Sequence, residues 1–130
     1  MEQIILDTNF LIIAVKNKID LFESLKEKYG VFEVLIPDLV IQELEKIKNS
    51  KQKLTDRQAA EIVLEVISKN KVKIINLEKK EADSGIVCYI KNKKDIYVAT
   101  LDRELKNKIK RANKHARFLT IKQKNQIAEN

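Results

Sequence analysis

The run Ile4-Ile5-Leu6-Asp7-Thr8-Asn9-Phe10-Leu11-Ile12-Ile13 limits the fold more than any other stretch of the chain. Apolar residues flank a three-residue polar insert, and a carboxylate inside such a run is costly unless something pairs with it. Residues 3–6 have the continuous apolar, β-branched character of a strand buried on both faces, as in a parallel sheet covered by helices on each side. After the insert, Phe10, Leu11, Ala14 and Val15 recur at helical spacing, so strand passes almost directly into helix. Asp7 then has two readings. It is an N-cap that accepts from the first N–H groups of the helix, or a carboxylate aimed at a metal from the strand end where open α/β sheets hold their ligands.

The rest of the chain alternates strand-like and helix-like pieces. Asp20 and Glu23 form a capping box, and Leu21, Phe22, Leu25 and Tyr29 mark one face of a second helix ending at Gly30. Residues 31–36 read as a strand stopped by Pro37, 38–48 as a helix, and the polar stretch 49–53 as its exit. Thr55 and Gln58 form another capping box, followed by the stripe Ala59, Ile62, Val63, Val66 and Ile67 in a helix ending near Asn70. A strand over 72–77, a helix over 81–92, a strand over 96–100, a helix over 101–113 and a strand over 117–121 complete the pattern. Helices between successive strands predict an α/β protein of three layers, α/β/α, with a mainly parallel central sheet of about five strands. One domain is expected over 1–122, with a polar tail, 123–130, that frays.

A chain of 130 residues suits one domain with a real core, and 44% hydrophobic with 35% charged residues is a globular balance. A single cysteine, Cys88, excludes an intramolecular disulfide; lying among apolar helix residues, it is expected to pack in the core. The N-terminus lacks a basic leading segment, and the apolar stretch 10–15 is too short for a signal-peptide core or a membrane span. A soluble, cytoplasmic protein without a membrane partner is therefore expected. The formal charge of +7 favours polyanionic partners, although a net charge of this size also serves solubility.

The acids sort by where their elements would point them. In the helix after Pro37, Leu39, Val40, Leu44 and Ile47 share a face, and at 100° per residue Glu43 falls within it while Glu45 falls opposite. The same arithmetic after Lys80 places Asp83 with Ile86, Val87 and Ile90 and leaves Glu81 off the stripe. Asp102 repeats the position of Asp7, at the carboxyl end of a buried strand. Asp83 and Asp102 each suit an N-cap, and Glu43 a lysine partner at the core's rim. Together the four acids converge on one rim of a parallel sheet. Such a cluster repels itself unless a hard divalent cation holds it, and oxygen ligands suit Mg²⁺ or Mn²⁺.

Ile5-Leu6-Asp7-Thr8-Asn9, the segment from Ile36 to Leu44, Glu81-Ala82-Asp83-Ser84-Gly85-Ile86 and the segment from Val98 to Leu105 together resemble the PIN-domain family of metal-dependent ribonucleases. The resemblance covers nearly the whole chain. It implies a sheet with the first strand central and hydrolysis of RNA phosphodiester bonds. It also implies Asp7, Glu43, Asp83 and Asp102 as catalytic metal ligands for one or two Mg²⁺ or Mn²⁺ ions, with Thr8, Asn9 and Thr100 as polar support. The long segment 35–47 and Thr100-Leu101-Asp102-Arg103-Glu104-Leu105 look more like the ribosomal-RNA-processing branch, with ribosome-assembly factors as partners, than like VapC toxins, which imply an antitoxin. Many relatives form dimers, so a homodimer is admitted. Ser84 and Leu101 depart from a pattern in which many relatives carry an acid and a polar residue. A catalytically silent RNA-binding scaffold therefore stands as the second hypothesis. A phosphate-accepting receiver-like domain fits less well, lacking a clear acidic pair after the first strand and a lysine after the last.

Charge suggests the RNA contacts. Arg103, Lys106, Lys108, Lys110, Arg111, Lys114 and Arg117 follow Asp102 with Glu104 as the only acid among them. Arg103, Lys106 and Lys110 share a helical flank that begins beside the acids, and Arg111 belongs to the same basic block. A phosphate backbone could follow it, the alternative being a solvated helix face. Lys46, Lys48, Lys51 and Lys53 form a second patch, and His115 reads as a surface or phosphate-contacting residue.

Overall fold

In a computed structural model that describes residues 1–123 and 126–130, β1 (Glu2–Leu6) passes into α1 (Thr8–Lys16) through Asp7 alone. The chain continues as α2 (Leu21–Tyr29), β2 (Phe32–Pro37), α3 (Asp38–Lys48), α4 (Leu54–Lys69), β3 (Lys73–Ile75) and α5 (Ala82–Ile90). It closes with β4 (Ile96–Ala99), α6 (Arg103–Ala112), β5 (Arg117–Lys122) and β6 (Gln126–Glu129). The expected alternation of strands and helices is present in order.

The strands lie in the order β3-β2-β1-β4-β5-β6, all parallel except β6, which runs antiparallel to β5. The first strand is central, and the strand order reverses between β1 and β4. Ligand crevices of open α/β sheets form at such a switch point, outside the carboxyl ends of the strands.

Side chains alternate across the sheet and define the two outer layers. Ile4 and Leu6 of β1, Val34 and Ile36 of β2, and Tyr97 and Ala99 of β4 face a core shared with α1 to α4. Ile5, Leu35, Ile96 and Val98 face the other core, made with Ile86 and Ile90 of α5 and Leu105 and Ile109 of α6. Each fully buried aliphatic or aromatic side chain here, Phe10 and Leu44 among them, contributes about 1.5–3 kcal/mol of transfer free energy.

Two local devices matter for the site. Asp38, in the first turn of α3, accepts from the Leu77 N–H at 3.3 Å and ties the segment after β3 to the end of β2. Gly85 lets α5 settle on Leu77, since a Cβ there would lie 2.7 Å from the Leu77 Cβ. Together they set the height at which the first turn of α5 meets the rim.

Several sequence expectations are corrected. The tail does not simply fray: residues 126–129 form an edge strand with Ala128 opposite Thr120 and Ile127 opposite Ile121. The sheet therefore extends beyond residue 122, with six strands among the described residues, the five expected plus this edge strand. The strand expected over 72–77 pairs only from Lys73 to Ile75, because Leu77 turns into the second core. Thr55 does not cap α4, which already begins at Leu54 with Lys53 at the cap position and no side-chain cap bond. Ile62 is exposed, and Ala60, Val63 and Ile67 carry the α4 core face. Cys88 is exposed on α5 instead of packing.

Candidate active site

The capping reading of Asp7 holds, and the carboxylate has a second partner within the protein. Its Oδ1 accepts from the Thr8 N–H at 2.8 Å, capping α1, while its Oδ2 accepts from the Thr100 hydroxyl at 3.0 Å. The parallel ladder brings the two residues together: Leu6 pairs with Ala99, and the Asp7 N–H donates to the Ala99 carbonyl at 3.1 Å. The Asp7 carboxylate is buried at 8% exposure, beneath the sheet's switch point.

Burial pushes the Asp7 carboxyl up to about 6, the hydrogen bonds from Thr100 and Thr8 oppose the rise, and the negative charges of Asp83 and Glu43 add to it. Asp83, half-buried in the first turn of α5, is also raised, first by burial and then by the charge of Asp102; Lys108 partly offsets this. Field effects of this kind act over short range, so Asp7 lies near Glu43 and Asp83, and Asp83 near Asp102.

Asp102 caps α6 through Oδ1, which accepts from the Glu104 N–H at 2.9 Å and the Leu105 N–H at 3.2 Å. Thr100 links it to Asp7, because the hydroxyl that donates to Asp7 also accepts from the Asp102 N–H at 3.1 Å. One threonine therefore fixes the relative placement of both strand-end aspartates. Residue type alone marks Thr100 as polar support; its bridging role is visible only in the fold.

Glu43 differs from expectation. It is exposed, not buried on the apolar face of α3, because Val40 and Leu44 take the core and Glu43 lies one turn beyond half-buried Leu39. There it lines a groove with Gln42, Lys46, Lys80, Glu81 and Asp83. Thr8 is buried, and its Oγ1 has no hydrogen-bond partner among the described residues, whereas Asn9 is exposed at the start of α1.

The donor set is made of carboxylates and hydroxyls, the chemistry of a hard cation. A buried carboxylate pressed by two like charges and an unpartnered buried hydroxyl beside it also fit such an ion. Among the described residues no three acids, as arranged, stand close enough to share one ion.

A model of the PIN like domain matches residues 4–124. The chain belongs to the PIN-like family. Ribonuclease VapC4 of Methanocaldococcus jannaschii is 31% identical over 114 residues, spanning 87% of this PIN domain and 86% of that protein. The structure of the PIN domain endonuclease Utp24 superposes with a TM-score of 0.80 at 27% identity, covering 98% of this chain and 90% of that one. A domain of a functionally unknown protein from Methanocaldococcus jannaschii shares the fold, with a TM-score of 0.63 at 20% identity over 95% of each chain.

Beside Asp102, a second groove of the PIN domain is lined by Thr100, Arg103, Lys106, Asn107, Lys110 and Thr120. Arg103, Lys106 and Lys110 meet there as the helical spacing predicted. Arg111 is exposed but does not line the groove, since it sits beside Glu104 and Lys108 on the next flank of α6. Sequence reasoning missed Lys80, Asn107 and Thr120, which lie on the grooves through the fold and not through any motif. No helix of the described residues is long and apolar enough to cross a membrane.

Proposed function

We propose that this PIN domain is a metal-dependent endoribonuclease hydrolysing RNA phosphodiester bonds, with one or two Mg²⁺ or Mn²⁺ ions as cofactor. The observation that carries this reading is Asp7, a buried switch-point carboxylate pushed up to about 6 by burial and by the charges of Asp83 and Glu43. A perturbed acid of this kind in a cleft marks a functional site and is relieved by a cation. Asp7, Asp83, Asp102 and, from the groove wall, Glu43 would hold it. The printed names of VapC4 and Utp24, a ribonuclease and an endonuclease, support the same chemistry.

When bound, the ion supplies Lewis acidity, activating water as the nucleophile and offsetting charge on the phosphate oxygens. The chain does the positioning. Thr100 holds the Asp7 carboxylate from one side and the Thr8 N–H from the other, so the oxygens keep one orientation. The α6 cap fixes one Asp102 oxygen and leaves the other available. Arg103, Lys106 and Lys110 neutralise backbone phosphates, and Arg111 serves the same strand at the groove's outer edge.

Ribosomal-RNA processing in the cytoplasm, beside ribosome-assembly factors, is the first role we assign, supported by the segments 35–47 and 100–105. A toxin restrained by an antitoxin is the second, supported by the identity to VapC4. A homodimer is compatible with either role. The test is incubation with a structured RNA with and without Mn²⁺, beside Asp7→Asn. Cleavage is expected only with Mn²⁺, and the variant should lose about a hundredfold or more of it. Cleavage that survives chelation or the substitution sinks the reading, and RNA binding without cleavage favours the silent scaffold.

A further inference from the structure

The acids divide two grooves on one rim of the sheet. The groove between α3 and the first turn of α5 holds Glu43 and Asp83, with Lys46 and Lys80 on its walls. The groove along α6 holds Asp102, with Arg103, Lys106 and Lys110 on its wall. Asp7 lies between them, at the end of β1, which is flanked by β2 leading into α3 and by β4 leading into α6.

The cations in these grooves, like most of the chain's 26 lysines and arginines, have no acid partner among the described residues; what sets them apart is their place beside the acids. Among the described residues the ion pairs are Lys16 with Asp56, Lys69 with Glu65 and Lys108 with Glu104, and none of them uses a groove cation. On α6 the division follows the helix: Lys108 is paired with Glu104 on one flank, while Arg103, Lys106 and Lys110 stand unpaired on the other. Lys106 is also held in place, half-buried with its Nζ 5.2 Å from the Phe118 ring centre, and the Lys110 Nζ lies 5.9 Å from the same ring. Cations on both groove walls with the acids between them suit an anion that continues past the acids. The two clamps flank β1, and neighbouring strands are ~4.8 Å apart, so roughly 10–14 Å separates them, too far for one phosphate to touch both.

We infer that one RNA strand crosses the rim through both grooves, gripped by Lys46 and Lys80 on one side of the acids and by Arg103, Lys106 and Lys110 on the other. This rests on the RNA-hydrolysis reading and adds to it the substrate's extent. The enzyme takes a strand that continues on both sides of the reacting phosphate, which makes internal bonds its targets. Neither groove wall carries an aromatic side chain. The grip is on the backbone and shows little base preference.

The experiment is fluorescence anisotropy of a labelled twelve-nucleotide oligouridylate in EDTA across a salt series, followed by Mn²⁺ addition to score cleavage. Three double variants are compared: Lys46→Gln/Lys80→Gln, Lys106→Gln/Lys110→Gln, and the exposed pair Lys91→Gln/Lys94→Gln before β4 on the opposite rim. Melting curves check that all three fold. Each groove pair is expected to lower the salt slope by about 1.4, about 0.7 for each lost phosphate contact, and the far-rim pair to leave it unchanged. A slope that falls only for the α6 pair overturns the two-sided track, as does an equal fall for the far-rim pair. The expected pattern without cleavage on adding Mn²⁺ supports the track while overturning the hydrolysis reading.

Discussion

Asp7 and Asp102 occupy the same place in consecutive halves of the sheet, each following a buried parallel strand and each capping the next helix, yet their surroundings differ. Asp7 ends the central strand under helices on both faces, and its two oxygens are each bound once within the protein. Asp102 ends the neighbouring strand, is only half-buried, and commits one oxygen to two N–H groups of α6. The difference teaches that the same local motif yields a strained anion at the centre of a sheet and a comfortable cap one strand further out. On the proposed function the two acids have different duties, Asp7 as the anchor of the cation and Asp102 as a ligand delivered by its helix.

The largest effect expected to separate them is chemical. Asp7→Asn should remove about a hundredfold or more of Mn²⁺-dependent RNA cleavage, while Glu43→Gln, on an exposed side chain, should cost about tenfold with no loss of melting temperature. An equal loss in both variants, read by gel assay, would erase the hierarchy.

Stability should move the opposite way. The folded Asp7 carboxyl titrates at about 6, above its ordinary value, so the fold favours the protonated form. That contribution is fully present below about pH 4 and is lost as pH rises through about 6, a loss of up to about 3 kcal/mol. Without metal, Asp7→Asn should therefore raise the unfolding free energy by about 1–3 kcal/mol at about pH 8 and by almost nothing at about pH 4, measured by denaturant unfolding. Asp102→Asn should show no such gain, since asparagine caps a helix as well as aspartate does. A gain at Asp102, or none at Asp7, breaks the contrast.

Thr100 links the two sites. Thr100→Val should cost about 1–3 kcal/mol, because it leaves the Asp102 N–H without its acceptor and the Asp7 Oδ2 without its donor. A smaller effect is expected of Asp102→Ala, about 1 kcal/mol for the lost cap. Thermal or denaturant melts rank the two, and a reversed order would place the cap above the bridge.

Much of this was legible in the chain. The order of elements followed from hydrophobic period and cap residues, and the strand-end aspartates stood out because a carboxylate between Leu6 and Phe10, or after Thr100, has no business in an apolar run unless it is used. The exceptions have physical causes. The strand β6 is hidden because Gln126 and Glu129 are polar and only Ile127 and Ala128 pack, so its existence depends on the edge offered by β5. Glu43 lies on the Leu39 flank of α3, at the edge of the stripe that Val40 and Leu44 bury, and a helical wheel that counts the whole apolar arc as covered overstates its burial. The Thr100 bridge and the Lys80 wall arise between elements far apart in sequence, and no local pattern carries them.

The central claim, that Asp7 anchors a divalent cation, is tested most directly by melting the wild type and Asp7→Asn at about pH 8 with and without Mn²⁺. Binding to the native state alone stabilises it. The account predicts that Mn²⁺ raises the melting temperature of the wild type and leaves that of Asp7→Asn unchanged; an equal shift in both would contradict it.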